Sequence, residues 1–363
     1  MEGLGLNMFN QFYLGKKVLV TGHTGFKGSW LVLWLKQLGA EVAGLSLDPQ
    51  TSPSHWDLLG IKDVVDYRVD LKDARLVEKI ITEYAPEIIF HLAAQPLVRY
   101  SYVHPEETFS TNVMGLIHVL EAARKTPSVK IIINATTDKV YAENNSHDAY
   151  IESSALGGHD PYSSSKACAE LISECWRKSY FNDPTSGIKI ATARAGNVIG
   201  GGDWATDRLV PDIIRATIHK QPLLIRNPNS IRPWQHVLEP LSGYLRLAQL
   251  LDQNQDLSKG WNFGPEISGE VSVNYLIEGL SQHWQKPVIH YQSSLQHEAA
   301  ILRLDARAAK SELGWKQVWN IDETLQRTIN WYKDFYLEKR VRSLQDLEAY
   351  ILQAEQQKLE WIA

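Results

Sequence analysis

Short apolar runs alternate with longer amphipathic segments over the first 200 residues of the chain. Runs rich in β-branched and other apolar residues predict six strands, at 17–21, 41–46, 64–69, 87–92, 130–134 and 189–194. Between them, apolar residues recur at helical spacing and predict helices at 29–38, 76–84, 111–125 and 162–180. Strands that alternate with helices in this way predict βαβ units and a doubly wound parallel sheet, an α/β fold of the Rossmann type.

The pattern changes after residue 200. Gly- and Pro-rich segments such as GNVIGGGDW and RNPNSIRPW separate shorter helical stretches, and one further strand is predicted at 261–263. We therefore expect a Rossmann-like domain over 14–200 with the strand near 261–263. A smaller C-terminal substrate-binding lobe is expected over 201–340, followed by a C-terminal helical extension over 341–363.

Composition narrows the class of protein. The 363 residues are 44% hydrophobic and 22% charged, which is ordinary for a soluble globular protein, and the net charge of −5 argues against nucleic acid as a partner. No apolar stretch is long enough to span a membrane, and no secretory pattern opens the chain. The two cysteines, Cys168 and Cys175, are too far apart along one predicted helix to bridge, and no Cys/His spacing predicts a metal site. These features predict a cytoplasmic protein.

A glycine-rich turn follows the first predicted strand. Gly22, Gly25 and Gly28 are spaced three apart in TGHTGFKGSW, where a strand ends and a helix begins. Glycines there allow backbone N–H groups to approach a pyrophosphate closely. Asp48 follows the second strand and suits the hydroxyls of an adenosine ribose, so the pattern favours NAD over NADP. The predicted cofactor set is completed by Thr24, Phe26, Asp70, Leu71, Ala93 and Ala94, with Tyr162 and Lys166 described next.

A Tyr-x-x-x-Lys pair, Tyr162 and Lys166, opens the last long helix of this region. Four-residue spacing places both side chains on one face, where the lysine ammonium can stabilise a tyrosinate. Such a tyrosine takes the proton of a substrate hydroxyl while the neighbouring carbon gives hydride to NAD, and Thr137, after the fifth strand, completes the set. The glycine spacing together with this pair resembles the extended short-chain dehydrogenase/reductase family.

Asp138 and Lys139 directly follow Thr137. An adjacent acid and base are most often a solvated ion pair, but at the carboxyl edge of the sheet both could reach one substrate. The segments TTDK, GGHDPYSSSKACAEL, RAGNVIGGGDWATDRLVPD and RPWQHVLEPLSGYL resemble the nucleotide-sugar 4,6-dehydratases. They resemble in particular the branch that acts on CDP-glucose, since the dTDP-glucose branch carries Asp-Glu in place of Asp138-Lys139.

The resemblance implies a reaction in three steps that regenerates NAD. Tyr162 takes the C4 hydroxyl proton as C4 is oxidised, Lys139 removes the C5 proton, Asp138 protonates the departing C6 hydroxyl, and hydride returns to C6. Lys139 could instead stay charged and stabilise the enolate, and the sequence leaves this open. The resemblance also implies a homodimer formed through the helices near 111–125 and 162–180. The product would serve deoxysugar biosynthesis for cell-surface polysaccharide such as the lipopolysaccharide O-antigen.

Four polar residues are predicted to hold the substrate. Asn197 and Arg232 match positions that bind the substrate diphosphate in the family, and Arg208 and Arg226 are further phosphate candidates. Three alternatives stay open: a 4,6-dehydratase of another nucleotide sugar, a nucleotide-sugar 4-epimerase, and a catalytically silent NAD-binding regulator. An epimerase has no need of the Asp138-Lys139 pair, and a silent regulator has no need of Tyr162 and Lys166.

Overall fold

A computed structural model gives the structure of the chain and describes residues 8–143, 148–183, 186–292, 299 and 301–362. Its strands, in chain order, are β1 (Lys17–Thr21), β2 (Glu41–Ser46), β3 (Val64–Arg68), β4 (Ile88–His91), β5 (Ile131–Ala135), β6 (Lys189–Ala195), β7 (Asn197–Ile199), β8 (Leu223–Ile225), β9 (Ile231–His236), β10 (Gly260–Phe263), β11 (Glu270–Ser272) and β12 (Ile289–Tyr291).

Seven of these strands form a central sheet in the order β10-β6-β5-β4-β1-β2-β3. Every neighbouring pair in this sheet is parallel. The order runs outward in two directions from β1 and β4, which is the doubly wound arrangement, so the predicted fold class is confirmed. The strand predicted at 261–263 lies at one edge of this sheet as β10.

The helices of the described residues are α1 (Phe26–Gln37), α2 (His55–Leu59), α3 (Ala74–Tyr84), α4 (Val98–Val103), α5 (Pro105–Phe109), α6 (Gly115–Arg124), α7 (Pro161–Trp176), α8 (Leu209–His219), α9 (Leu238–Gln253), α10 (Val273–His283), α11 (Arg307–Glu312), α12 (Ile321–Lys333) and α13 (Ser343–Gln356). A π-helical turn at Ser110–Met114 joins α5 to α6, and another at Arg177–Phe181 extends α7. None of the described helices combines the length and the hydropathy needed to cross a bilayer.

Apolar side chains cover both faces of the central sheet. On one face, Val77 and Ile81 of α3 pack with Leu116 and Leu120 of α6 against the sheet. The other face carries a larger cluster that includes Trp30 and Trp34 of α1, both fully buried. Burial on both faces explains why the central strands are continuous apolar runs rather than alternating ones.

The later part of the chain adds two small sheets. Strands β11, β9 and β7 form one, and β12 pairs with β8 in the other. All strands of these two sheets follow β6 in the sequence. The predicted division into domains stays a prediction, and residue 363 of the predicted C-terminal extension lies outside the described residues.

Candidate active site

A cavity of about 810 Å³ opens at the carboxyl end of the central strands. Its walls come from the segments that follow β1, β2, β3, β4, β5 and β6, together with residues of α7, α8 and β9. Ligands of open α/β sheets bind outside the carboxyl ends of the strands. The volume lies at the upper end of the usual range for small-molecule sites, about 300–1,000 Å³.

The glycine turn forms a tight cradle at the start of α1. Gly22 has a φ of 75°, and a Cβ there would lie 2.7 Å from the backbone nitrogen of Ala93. A Cβ on Gly28 would lie 2.1 Å from the carbonyl oxygen of Gly22. Gly25 is the N-cap residue of α1 and provides no side-chain cap, so the first amide groups of the helix are left for another acceptor. This cradle fits the pyrophosphate of a dinucleotide.

The other predicted cofactor residues also line this cavity. Asp48 lies after β2 with its side chain 86% exposed, and its Oδ1 is 3.9 Å from Arg68 Nη1. An exposed carboxylate at the end of the second strand fits the hydroxyls of a ribose. The hydroxyl of Thr24 is hydrogen-bonded to Ser46 Oγ at 2.8 Å, so this side chain holds the glycine turn against the end of β2. The remaining cavity-lining members of the predicted set are Gly22, Gly25, Phe26, Gly28, Asp70, Leu71, Ala93 and Ala94.

The Thr137-Asp138-Lys139 segment turns immediately after β5. A short 3₁₀ turn covers Asp138–Val140, with Thr137 as its N-cap residue. Thr137 Oγ1 donates to Asp138 Oδ1 at 3.0 Å, and Lys139 Nζ donates to the same oxygen at 3.0 Å. Thr137 and Lys139 line the cavity, whereas Asp138 is 1% exposed and does not. The turn therefore brings the acid and the base together as a half-buried ion pair that faces the cavity through Lys139.

Tyr162 and Lys166 lie near the start of α7 and also line the cavity. Asp160 caps this helix by accepting from the backbone N–H of Ser163 at 2.9 Å, and Pro161 occupies its first position. Lys166 Nζ donates to the carbonyl oxygen of Ala135 at 3.0 Å, at the end of β5. The helix start therefore holds both side chains beside the Thr137 turn.

Burial is the largest influence on the pKa values of this pair. Burial raises the pKa of Tyr162 to about 12, and a hydrogen bond with Thr137 offsets this only partly. Burial lowers the pKa of Lys166 to about 8, against the opposite effect of Glu170. The protein groups alone thus keep Tyr162 neutral at pH 7, because removal from water disfavours the tyrosinate more than its surroundings favour it.

A buried ion pair lies directly behind the Thr137 turn. Glu170, one turn after Lys166 on α7, accepts from Arg194 Nη2 at 2.7 Å and from Thr192 Oγ1 at 2.6 Å, both on β6. It also accepts a short hydrogen bond from Thr136, the residue before Thr137. Arg194 in turn donates to the Tyr141 hydroxyl at 2.9 Å. The network fixes α7, β6 and the turn relative to one another.

The four predicted substrate residues lie around the cavity. Arg208 is paired with Asp203 at 2.9 Å, and Arg226 lies 3.6 Å from Asp207. Arg232 on β9 is 4% exposed, and Asn197 on β7 has a buried Oδ1 with no hydrogen-bond partner among the described residues. The structure therefore brings all four to the same cavity as the Tyr162 and Thr137 groups.

Sequence reasoning missed Lys27, the second residue of α1. Lys27 lines the cavity, and its Nζ donates to the Tyr244 hydroxyl at 3.3 Å while lying 5.5 Å from the centre of the Tyr244 ring. Burial lowers its pKa to about 7, reinforced by the charges of Lys166 and Arg208 and opposed by that of Asp138. The sequence feature that could have indicated this residue is its position between Gly25 and Gly28, at the start of the helix that faces the cavity.

Comparison with known proteins places this geometry in a family. The family model described as GDP-mannose 4,6 dehydratase matches residues 19–328. The CDP-glucose 4,6-dehydratase of Salmonella typhimurium is 46% identical over 329 residues, which cover 89% of this chain and 92% of that protein.

Solved structures agree on the fold. The UDP-glucose 4-epimerase of Thermotoga maritima, solved with UDP-glucose, has a TM-score of 0.76 and 25% identity and covers 88% of this chain and 99% of its own. The dTDP-glucose 4,6-dehydratase of Bacillus anthracis, solved with NAD, has a TM-score of 0.73 at 22% identity, covers 89% and 98%, and supports the fold alone. By the family model and by its 46% identity with a curated relative, this chain belongs to the nucleotide-sugar 4,6-dehydratase family of NAD-using hydro-lyases.

Proposed function

We propose that this chain converts CDP-glucose to CDP-4-keto-6-deoxyglucose and water with bound NAD. The observation that carries the proposal is the Thr137-Asp138-Lys139 turn, in which the shielded Asp138 is paired with Lys139 at the wall of the cavity that Tyr162 and Lys166 also line. The relative from Salmonella typhimurium named a CDP-glucose 4,6-dehydratase supports the choice of nucleotide. A 4-epimerase would need the tyrosine and lysine but not the second pair.

When bound, NAD would supply the acceptor for the C4 hydride and the donor that restores this hydride at C6. The predicted cofactor residues fit it: the cradle of Gly22 and Gly28 for the pyrophosphate, and Asp48 for the ribose hydroxyls. Because the hydride is returned, the reaction needs no net oxidant. A cofactor that is regenerated in each cycle can stay bound between turnovers.

The residues of the chain handle the protons. Tyr162 takes the proton of the C4 hydroxyl, and the resulting ketone makes the C5 proton removable. The Asp138–Lys139 pair takes the C5 proton and provides the proton with which the C6 hydroxyl leaves as water. Either Lys139 acts as the base or its charge stabilises the enolate, and both roles use its position at the cavity wall.

We assign substrate binding to arginine and asparagine side chains. We assign Arg208, Arg226 and Arg232 to the diphosphate, since guanidinium groups bind phosphate oxygens through paired hydrogen bonds. Asn197 adds a buried amide whose oxygen is free to accept from the ligand, as judged over the described residues. Asp203 pairs with Arg208 and Asp207 with Arg226, and these carboxylates offset part of the positive charge around the cavity.

We further propose that the protein is a cytoplasmic homodimer that supplies a deoxysugar for cell-surface polysaccharide such as the lipopolysaccharide O-antigen. Cys168 and Cys175 are both free thiols, which suits a reducing compartment. The dimer would use the outer faces of the π-helical turn Ser110–Met114, of α6 and of α7, where Met114 and Leu171 are exposed, beside Phe109 at the end of α5.

The test is conversion of a panel of nucleotide-glucoses, with CDP-glucose carrying deuterium at C4. We expect CDP-glucose to react best, with only catalytic NAD present, and the deuterium to appear at C6 of the same sugar. Accumulation of one NADH per sugar would contradict the proposal, as would formation of a CDP-hexose that retains its C6 hydroxyl. Preference for another nucleotide would move the chain to a different branch of the family.

A further inference from the structure

The loop of residues 201–208, between β7 and α8, carries Arg208 to the cavity wall. Asp203 fixes the direction of this arginine from within the loop. Its Oδ2 accepts from Arg208 Nη1 at 2.9 Å, and its Oδ1 accepts from the backbone N–H of Ala205 at 3.0 Å. The Asp203 side chain is 8% exposed, so little solvent competes for these bonds. The position of Arg208 therefore depends on the position of Asp203.

Tyr332, in the last turn of α12, binds the backbone of Asp203 from behind the loop. Its hydroxyl donates to the Asp203 carbonyl oxygen at 2.5 Å and accepts from the Asp203 N–H at 3.0 Å. A tyrosine hydroxyl can donate and accept at the same time. Tyr332 is fully buried and is not part of the cavity wall. One side chain outside the cavity thus holds both backbone polar groups of the residue that orients Arg208.

Aromatic residues around Tyr332 hold the same loop by packing. The centre of the Trp204 ring lies 5.6 Å from that of Trp331 and 5.9 Å from that of Tyr332, and Trp204 Nε1 donates to the Tyr336 hydroxyl at 3.0 Å. A Cβ on Gly201 would lie 1.9 Å from Trp331 Cγ, so the loop backbone and this ring are in close contact. The first half of the loop is therefore packed against the aromatic cluster, and Tyr332 adds the hydrogen bonds that fix Asp203.

We propose that Tyr332 is a positioning residue for substrate binding, an inference that rests on the proposed function. Its hydroxyl fixes the backbone of Asp203, the Asp203 carboxylate fixes Arg208, and Arg208 binds the diphosphate of the nucleotide sugar. A guanidinium group forms paired hydrogen bonds with phosphate oxygens only when its plane is correctly oriented. Tyr332 touches neither the ligand nor the reacting atoms and acts through the other two residues.

A residue that acts in this way should affect one ligand and leave the other unchanged. The predicted cofactor residues Gly22, Gly28 and Asp48 lie in the segments after β1 and β2, whereas the hydroxyl of Tyr332 is bonded to Asp203. The proposal therefore predicts weaker binding of a nucleoside diphosphate and unchanged binding of NADH. A general loosening of the fold would weaken the binding of both.

The test is Tyr332→Phe, which removes the hydroxyl and keeps the ring. Calorimetry with CDP, which carries the diphosphate without the sugar, should give a Kd about tenfold higher than for the wild type, because Arg208 loses its fixed orientation. The Kd of NADH, followed by its fluorescence, should stay within about twofold of the wild-type value. In turnover, the KM for CDP-glucose should rise while kcat stays close to that of the wild type, because Tyr162 and Lys139 are unchanged.

Tyr350→Phe is the matched control. It removes the hydroxyl of another fully buried tyrosine, which is bonded to Glu239 Oε2 at 2.8 Å and is not part of the cavity wall. This variant should bind CDP as the wild type does. If either tyrosine variant is too unstable for calorimetry, CDP binding is measured with saturating NADH, which stabilises the folded chain by mass action.

Arg208→Gln tests whether Tyr332 acts through the arginine. Adding Tyr332→Phe to Arg208→Gln should leave the Kd of CDP where Arg208→Gln alone puts it, because two residues that act as one unit are not additive. Three results overturn the proposal: Tyr332→Phe binds CDP as tightly as the wild type, it weakens CDP and NADH binding equally, or it weakens CDP binding in the Arg208→Gln background as much as it does alone.

Failure of the proposed function would be seen in the wild type, which would then neither bind CDP nor convert CDP-glucose. Failure of this inference alone leaves the wild type active and Tyr332→Phe with wild-type affinity for CDP. If the wild type converts a different nucleotide-glucose, the same variants test the role of Tyr332 with the corresponding nucleoside diphosphate.

Discussion

Lys139 and Tyr162 both line the cavity, and the proposed reaction assigns them to different bonds of the sugar. Replacing Lys139 with Met keeps the length of the side chain and leaves Tyr162, Thr137 and Asp138 in place. We expect Lys139→Met to oxidise C4 and then stall before water leaves, with overall turnover lower by about 10²–10⁴. The 4-keto-hexose should accumulate on the enzyme, where rapid quenching with borodeuteride and mass spectrometry would detect deuterium at C4.

Tyr162→Phe is the matched control for this prediction. It removes the group to which the proposed function assigns the C4 proton, so the 4-keto-hexose should be absent from quenched samples. If Lys139→Met also yields only unreacted sugar, the assignment of Lys139 to a step after oxidation is wrong.

The buried Lys27 should make the free energy of unfolding depend on pH, and this can be measured without substrate. Burial lowers its pKa from 10.5 to about 7. Between those two values the unfolded chain binds more protons than the folded chain, so this group makes the free energy of unfolding increase with pH. Below pH 7 the lysine is charged in both states and the full penalty for burying the charge is present. We expect Lys27→Met to be more stable than the wild type at pH 7, with the difference shrinking towards pH 10.

Urea unfolding at several pH values checks this prediction. Lys36→Met, on the same helix and bonded through Nζ to the carbonyl oxygen of Asp63 at 3.2 Å, controls for the loss of a lysine from α1. Stability curves for Lys27→Met and the wild type that stay parallel from pH 7 to pH 10 would mean that Lys27 carries no buried charge.

At the scale of elements, the sequence located the central strands closely because their periodicity is simple. Strands buried on both faces are short unbroken apolar runs, and the predicted 17–21 and 41–46 coincide with β1 and β2. Helix starts were less predictable. The helix predicted from residue 29 begins at Phe26, because Gly28 fits inside the first turn under the carbonyl of Gly22. The helix predicted over 111–125 is continuous with α5 through a π-helical turn, which leaves no simple signal in residue spacing.

The hydrogen-bond network around Glu170 joins two elements, α7 and β6, to the segment that leads into the Thr137 turn. Glu170 on α7 neutralises Arg194 on β6, and both side chains are almost fully buried. Glu170→Gln leaves the Arg194 charge without its partner, so we expect the free energy of unfolding to fall by about 3–5 kcal/mol. Equilibrium urea unfolding of the ligand-free chain gives this value directly.

Replacing both members separates charge from packing. The double variant Glu170→Met with Arg194→Met removes the charge and the carboxylate together, and it should recover part of the stability lost in Glu170→Gln. The double variant is compared with Glu170→Met alone and Arg194→Met alone. If its loss of unfolding free energy equals the sum of the losses in these two single variants, the hydrogen bonds to Thr136, Thr192 and Tyr141 matter more than the ion pair.

Across the whole molecule, exposed apolar residues are unevenly placed. Phe109, Met114 and Leu171 are 36%, 45% and 56% exposed on the neighbouring elements α5, the following π-helical turn and α7. We expect a dimer by sedimentation at micromolar concentration, and we expect Leu171→Lys to shift it towards monomer because it would bury a charge in the interface. Ile267→Lys, at a residue that is 82% exposed elsewhere, is the control and should leave the sedimentation coefficient unchanged.

The sequence predicted those parts of the candidate site whose residues are close together in the chain. It did not predict the parts whose residues come together only in the folded structure. The glycine turn, the Thr137 segment and the Tyr162–Lys166 pair are local in sequence, so spacing indicated them. Glu170 and Arg194 lie 24 residues apart and meet only because β6 pairs with β5 beside α7. The shielding of Asp138 likewise depends on a turn geometry that a dipeptide does not reveal.

Strand β10 limits how chimeras between this enzyme and its relatives can be constructed. It returns from the later part of the chain to pair with β6, and it carries Asn262, whose Oδ1 accepts from the Tyr141 hydroxyl at 2.6 Å. A chimera with a single crossover near residue 200 would therefore exchange an edge strand of the central sheet along with the predicted substrate-binding lobe. Transplanting sugar-nucleotide preference between relatives should succeed only with two exchanged pieces that leave Gly260–Phe263 native, because the predicted substrate-binding lobe is not one continuous segment.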